Sequence, residues 1–290
     1  MNASKILLSV LALTALTAHA QKTPVWCDPA VNEINRKTDV AHYFAYETET
    51  LAKQSQTPSA NTKAKSNRYL SIEGAWKFHW VESANERPEG FYALKYDDST
   101  WGTMPVPGIW ELNGYGDAIY VNNGYAWRSD WTGAPPAVQD KGNHVGSYRR
   151  TFTIPAEWKD DNVYMHIGSA TSNITVYVNG KYVGYSEDSK VACEFDITKY
   201  IIPGKENLIA MQVMRWCDGS WNEDQDFWRL CGIARECYMY ARPQAHIEVV
   251  FITPDLENNY RDGKLSIKLT APDAVGKTFK VKLLDADGKD

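Results

Sequence analysis

The chain has 290 residues, 43% hydrophobic and 23% charged, with a formal net charge of -5, so it can bury a sizeable core and is long enough for more than one average domain. The weakly acidic balance, with no Lys/Arg-dense stripe, lacks the electrostatic footprint of a polyanion binder and excludes nucleic acid as an expected partner. The one excess is aromatic: 11 Trp and 17 Tyr offer flat apolar faces with a polar tip, which suit a β-sandwich core and equally suit sugar rings.

Lys5, the apolar run from Ile6 to Leu16 and Ala18-His19-Ala20 follow the order of a secretory signal peptide over 1–20, which predicts an exported product, periplasmic or extracellular. That run is short for a bilayer span, no later stretch approaches one, and no membrane partner is expected. Residues 21–68 are polar, rich in Lys, Thr, Ser, Asn and Gln, and read as an extended lead-in that stays poorly ordered unless it docks on something. From Tyr69 the pattern changes to short alternating runs. Trp76, Phe78 and Trp80 recur at every second position and share one face of a strand. Further strands are predicted at 147–154, 163–167, 174–178, 182–185, 208–214 and 236–240. Asn179-Gly180, between two alternating runs, has the chemistry of a type I′ hairpin turn. No helical period is sustained over three turns, so the fold class is all-β, a sandwich or a barrel. Beyond Ala241-Arg242-Pro243 a second set of strands is predicted at 247–253, 265–270 and 279–284, about half of a seven-stranded sandwich, which implies a natural polypeptide that continues past Asp290.

The five cysteines (Cys27, Cys193, Cys217, Cys231, Cys237) have no repeated C-x-x-C spacing, so no zinc knuckle is expected. An odd number leaves at least one unpaired within the chain. Export permits a disulfide and a domain of this size does not require one, so pairing stays open.

The densest polar cluster runs from Arg215 to Arg229, where four acids and two Arg share fifteen positions with three Trp. Acids packed among tryptophans must be paired or ligated. Composition leaves three readings open: a calcium- or sodium-type oxygen site, a sugar-hydroxyl site, or an Asp–Arg network. The spacing is not that of an EF-hand loop.

The run RWCDGSWNEDQDFWRLCGIAR closely resembles the loop that ends the sugar-binding jelly roll of β-galactosidases in glycoside hydrolase family 2. GAWKFHW, VPGIWELNGYGDAIYVN, GSYRRTF and IGSATSNITVYVNGKYVGYSEDS resemble further blocks of that domain in the same order. The resemblance implies a galactose-binding-like jelly-roll sandwich over 69–242 and the start of an immunoglobulin-like sandwich over 243–290. It implies that the full-length parent is a β-galactosidase. Asn122, on the Asn of the family's IYxN segment, and Asp226, the last Asp of EDQDFW, resemble residues that contact galactose, and the Asp also ligates sodium. Both have plainer readings, Asn122 as a turn residue and Asp226 as a partner of Arg229 or Arg215. Asp218 and Glu187 fall where family members can place ligands of a divalent structural ion, although Glu187 stands where an amide is expected. Sodium and magnesium are thus the implied ions, with no organic cofactor. Tyr120, Trp110 and Trp228 read as core or pocket wall. No (β/α)₈ pattern occurs in the chain, so the catalytic carboxylates are expected in missing C-terminal domains, and no catalytic residue is assigned here. The implied partners are a β-galactoside substrate and those domains, with a homo-oligomeric parent left open. The competing readings are a stand-alone secreted carbohydrate-binding module and, within the family, a β-glucuronidase or β-mannosidase relative, against which EDQDFW argues.

Overall fold

The computed structural model describes residues 23–55, 62–127 and 131–289. The signal-peptide assignment over 1–20 lies outside the described residues.

Two antiparallel sheets pack face to face. In the larger, Lys141–Thr153 lies between Gly74–Ser83 and Glu206–Met214. Gly102–Val106 extends the first side; Asn173–Val178, Lys181–Ser186 and the two-residue Glu33–Ile34 extend the other. The smaller sheet is ordered Cys193–Asp196, Asp161–Ile167, Cys237–Pro243, Tyr69–Ser71. Period-2 alternation builds the core between them. Trp76, Phe78, Tyr148, Val176 and Met211 from one sheet meet Val163, Met165, Ile167, Phe195 and Met239 from the other. Every strand predicted between Tyr69 and Pro243 forms, and the Asn179-Gly180 turn has φ of 50° and 79°, the left-handed pair a two-residue hairpin requires. The Asn179 side chain also accepts from Leu208 N (2.9 Å) and donates to Tyr200 O (2.9 Å), so the turn is tied to its neighbours as well as bent.

The lead-in docks. Glu33–Ile34 adds an edge to Lys181–Ser186, and Lys37 N donates to Glu194 O at 2.8 Å. The segment beyond it crosses the outer face of the smaller sheet, where Phe44 packs on Tyr69, Tyr238 and Tyr240. A short α-helix, Glu49–Gln54, follows, capped by Thr48, whose side chain accepts from Leu51 N.

After Pro243 the strands Val249–Glu257 and Asp262–Thr270 pair as a hairpin with mostly exposed residues. The strand expected at 279–284 does not form, and Phe279, Val281 and Leu283 are exposed. Alternation makes a strand only where a neighbouring backbone completes the ladder, and none of the described residues does so there. All five cysteines are free, four of them buried. No helix among the described residues is long and apolar enough to cross a membrane.

Candidate functional site

Two short strands build the tip of the site. Phe227–Arg229 pairs antiparallel with Ile119–Val121 in the register Phe227↔Val121, Trp228↔Tyr120, Arg229↔Ile119. Asp226 and Asn122 adjoin the last pair of that register, Phe227↔Val121, at the same end of the ribbon, and each is exposed. Asp226 N donates to Gly124 O (3.3 Å), and the Tyr120 hydroxyl donates to Asp226 Oδ1 (3.2 Å). Tyr120, Phe227 and Trp228 are each about half exposed, with the Tyr120 and Trp228 ring centroids 5.1 Å apart. Trp110, by contrast, is fully buried and donates its Nε1–H to the Tyr148 hydroxyl. Of the three aromatics read as core or wall, one is core and two form an open apolar wall beside the Asn122–Asp226 pair.

The acids of the loop divide between two tasks. Arg229, fully buried, donates to Asp224 Oδ2 (2.5 Å), Glu223 Oε2 (3.3 Å), Arg215 O (2.7 Å) and Ser220 Oγ (2.9 Å), and its guanidinium lies 4.5 Å from the Trp216 ring. Lys190 Nζ closes on the other Asp224 oxygen at 3.1 Å. Arg215 turns to His144 Nδ1 (3.0 Å) and Asp117 (3.6 Å). Among the described residues neither arginine pairs with Asp226. The backbone produces the division: Asp224 and Asp226 both take left-handed φ, 61° and 51°, which aspartate tolerates better than most residues. The loop reverses at each, sending one carboxylate inward to the cations and the other outward. The ion-pair network and the outward carboxylate are therefore neighbours in one loop, which composition could not separate.

Glu187 and Asp218 come together as well. With Cys217 they place one ligand atom each within 4.8 Å of one another, all three residues buried. Glu187 Oε1 accepts from the Tyr185 hydroxyl (2.6 Å), and Asp218 Oδ1 is buried with no hydrogen-bond partner among the described residues. Burial, reinforced by Asp218 and opposed by the Tyr185 hydroxyl, pushes the Glu187 carboxyl up to about 8. Two buried carboxylates, one with an orphaned oxygen, fit a hard divalent cation, which takes one or two carboxylates and completes its shell with water. Gly219 leaves room for this approach, since a Cβ there would sit 3.2 Å from Glu187 Oε2. Cys217 was not foreseen from sequence. Its burial raises the thiol pKa well above its ordinary range, so it stands beside the carboxylates as a neutral group.

Residues 69–243 match the family model described as "Glycosyl hydrolases family 2, sugar binding domain". The chain is 40% identical over 280 residues to a β-galactosidase of Priestia megaterium, covering 94% of this chain and 26% of that protein. It is 39% identical over 219 residues to a β-galactosidase of Streptococcus thermophilus, covering 75% and 21%. The chain thus spans about a quarter or less of the length of these curated relatives. Among solved structures, a β-glucuronidase of Bacteroides uniformis superposes with a TM-score of 0.52 at 23% identity over 69% of this chain and 21% of that one. A β-glucuronidase of Ruminococcus gnavus in complex with uronic isofagomine gives 0.52 at 19% identity, over 76% and 36%. These two likenesses speak for the sandwich fold alone.

Proposed function

The chain belongs to glycosyl hydrolase family 2, and from that membership we propose that it is the N-terminal, sugar-positioning part of a retaining β-galactosidase that releases terminal non-reducing β-D-galactose. Retaining glycosidases work with two carboxyl groups about 5 to 5.5 Å apart, one acid/base and one nucleophile. In this reading both come from a barrel that follows an immunoglobulin-like domain beginning near residue 243. Asn122 and Asp226 hold the sugar rather than cut it. A carboxylate accepts hydrogen bonds from two hydroxyls, and an amide both donates and accepts, so the pair can fix the galactose ring while chemistry proceeds at its anomeric carbon. A sodium ion bound at Asp226 would supply a hard positive centre for the sugar's hydroxyl oxygens. Glu187 and Asp218 would hold a divalent ion such as magnesium, tying the acidic loop to the end of the strand Lys181–Ser186.

The observation that carries this reading is the exposed Asp226 carboxylate, at the same end of the ribbon as Asn122 and unclaimed by either loop arginine among the described residues. Loss of that charge in the full-length parent, by Asp226→Asn, should raise KM for a chromogenic β-galactoside and flatten the response to added sodium. Each hydrogen bond to a charged group is worth roughly 1.5–3 kcal/mol, so a drop in kcat/KM of at least about tenfold is expected. Unchanged kinetics across a sodium titration would overturn the assignment.

A further inference from the structure

On the outer face of the smaller sheet, remote in sequence from the acidic loop, three side chains converge. Glu194 and His166 sit on paired strands in register, and His42 comes from the docked lead-in. His166 Nδ1 lies 2.9 Å from Glu194 Oε1, and His42 Nδ1 lies 3.7 Å from the same oxygen. The three ligand atoms are all within 4.8 Å of one another, and the two imidazole centroids are 4.9 Å apart. We propose that His42, His166 and Glu194 form a transition-metal site, with zinc as the favoured ion, that fastens the lead-in to the sandwich.

Two features distinguish this from an ordinary His–Glu pair. Both imidazoles turn Nδ1 toward one carboxylate oxygen, although one hydrogen bond to it would satisfy either ring. The far atoms are already anchored: His42 Nε2 meets the Tyr238 hydroxyl at 2.9 Å, and Glu194 Oε2 accepts from the Tyr240 hydroxyl at 2.7 Å. Outer hydrogen bonds of this kind fix the ring tautomer and aim the inner atoms at a common point, as they do around histidine-ligated metals. The His–Glu spacing suits zinc. With bonds of 2.0–2.1 Å, tetrahedral ligand atoms lie about 3.3 Å apart; the two His–Glu separations, 2.9 and 3.7 Å, straddle that value, and the His–His separation is within 4.8 Å. Two imidazoles and a carboxylate select zinc or its neighbours over magnesium or calcium. The same three residues line a cavity of about 500 Å³ bounded also by Lys37, Asp39 and Arg242, so a fourth coordination position would face space that water or a small anion can enter.

The mechanical consequence lies in the lead-in. His42 is the single ligand that does not belong to the sheet, and Phe44, two residues on, packs on the tyrosine face. A metal bond at His42 would close the segment over that face. The test titrates cobalt(II), then zinc(II), into the 290-residue chain. With magnesium present in excess to occupy the Glu187–Asp218 pair, expected are tetrahedral visible bands that saturate at one equivalent of cobalt with no thiolate charge-transfer band, displacement of cobalt by zinc, and slower tryptic cleavage at Arg36 and Lys37. His42→Ala, a change at a partly exposed residue that the sandwich core does not need, should abolish the cobalt bands and the protection. Tyr238→Phe should weaken zinc by about 10- to 100-fold, and Cys217→Ser should leave binding intact. Absence of binding in the parent chain, or bands that persist in His42→Ala, would overturn the site.

Discussion

At the scale of single residues, Arg229 is where the loop's stability concentrates. A buried guanidinium shared by two carboxylates gives little net stability against an apolar substitute that fills the same space, yet removing it alone takes the buried cation from both acids and leaves Asp224 to Lys190 and Glu223 to Ser189. Arg229→Met should therefore cost about 3–5 kcal/mol in chemical denaturation; a loss below about 1 kcal/mol would mean that water reaches Glu223 and Asp224 and replaces the arginine. His144 gives the loop's pH dependence. Burial, with Arg215 next in weight and Asp117 opposing, holds its imidazole down at about 4, and Arg215 Nη1 donates to its unprotonated Nδ1. The folded imidazole titrates below the unfolded one, at about 6.5, so the unfolded chain binds the extra proton. The neutral ring's contribution is complete above the unfolded value and falls away as pH drops toward 4. His144→Gln should thus be less stable than the parent at about pH 7, with a gap that narrows by about pH 4.5. A gap that widens on acidification would contradict that sign. The residue scale is also where sequence reading runs out first. Four acids in one loop could be seen, but which of them faced Arg229 depended on the left-handed turns at Asp224 and Asp226, and one-dimensional spacing carries no such information.

Among the elements, legibility followed burial. Strands that alternate because one face is core, such as Gly74–Ser83 and Asn173–Val178, could be read from period alone, and Asn179-Gly180 announced its own turn. The strands that shape the tip could not. Ile119–Val121 and Phe227–Arg229 are three residues each, too short for a period, and of the six only Arg229 is buried. At 279–284 the error ran the other way, since alternation was present without a pairing partner. The lead-in was legible only in part: its polar composition suggested weak order, while the docking depends on a neighbour far along the chain. Gly184 marks that dependence. An added Cβ would meet Ile34 O at 2.4 Å and Phe195 Cε1 at 2.6 Å, so the edge strand can lie against Lys181–Ser186 only because no side chain stands there. Gly184→Ala should destabilise the sandwich by about 1–3 kcal/mol through overpacking and speed hydrogen exchange at Ile34. Unaltered exchange at Ile34 would show that the edge strand is not clamped by this approach.

At the scale of the whole molecule, the sandwich is closed on its inner side and open at the ribbon. Tyr120 and Trp228 present a half-exposed apolar wall beside the exposed side chains of Asn122 and Asp226. A surface of this kind marks a binding face, and fold by itself does not say what it accepts: the solved neighbours include β-glucuronidases, while the more similar relatives are β-galactosidases. What discriminates is the division of labour between holding and cutting. Exposed acids exist at the ribbon, but hydrolysis with retention needs a second carboxyl about 5 to 5.5 Å from the first, one of them held protonated by its surroundings. Among the described residues Asp226 has no carboxylate opposite it in the ribbon, and the acids pushed toward neutrality lie elsewhere, Glu187 buried beside Asp218 and Cys217 and Glu111 accepting from Cys231 N. The purified 290-residue chain should therefore show no turnover of a chromogenic β-galactoside above background at any sodium concentration. Turnover well above background that disappears in Asp226→Asn would place a cutting carboxylate within the sandwich and remove the reason for assigning this carboxylate to positioning alone.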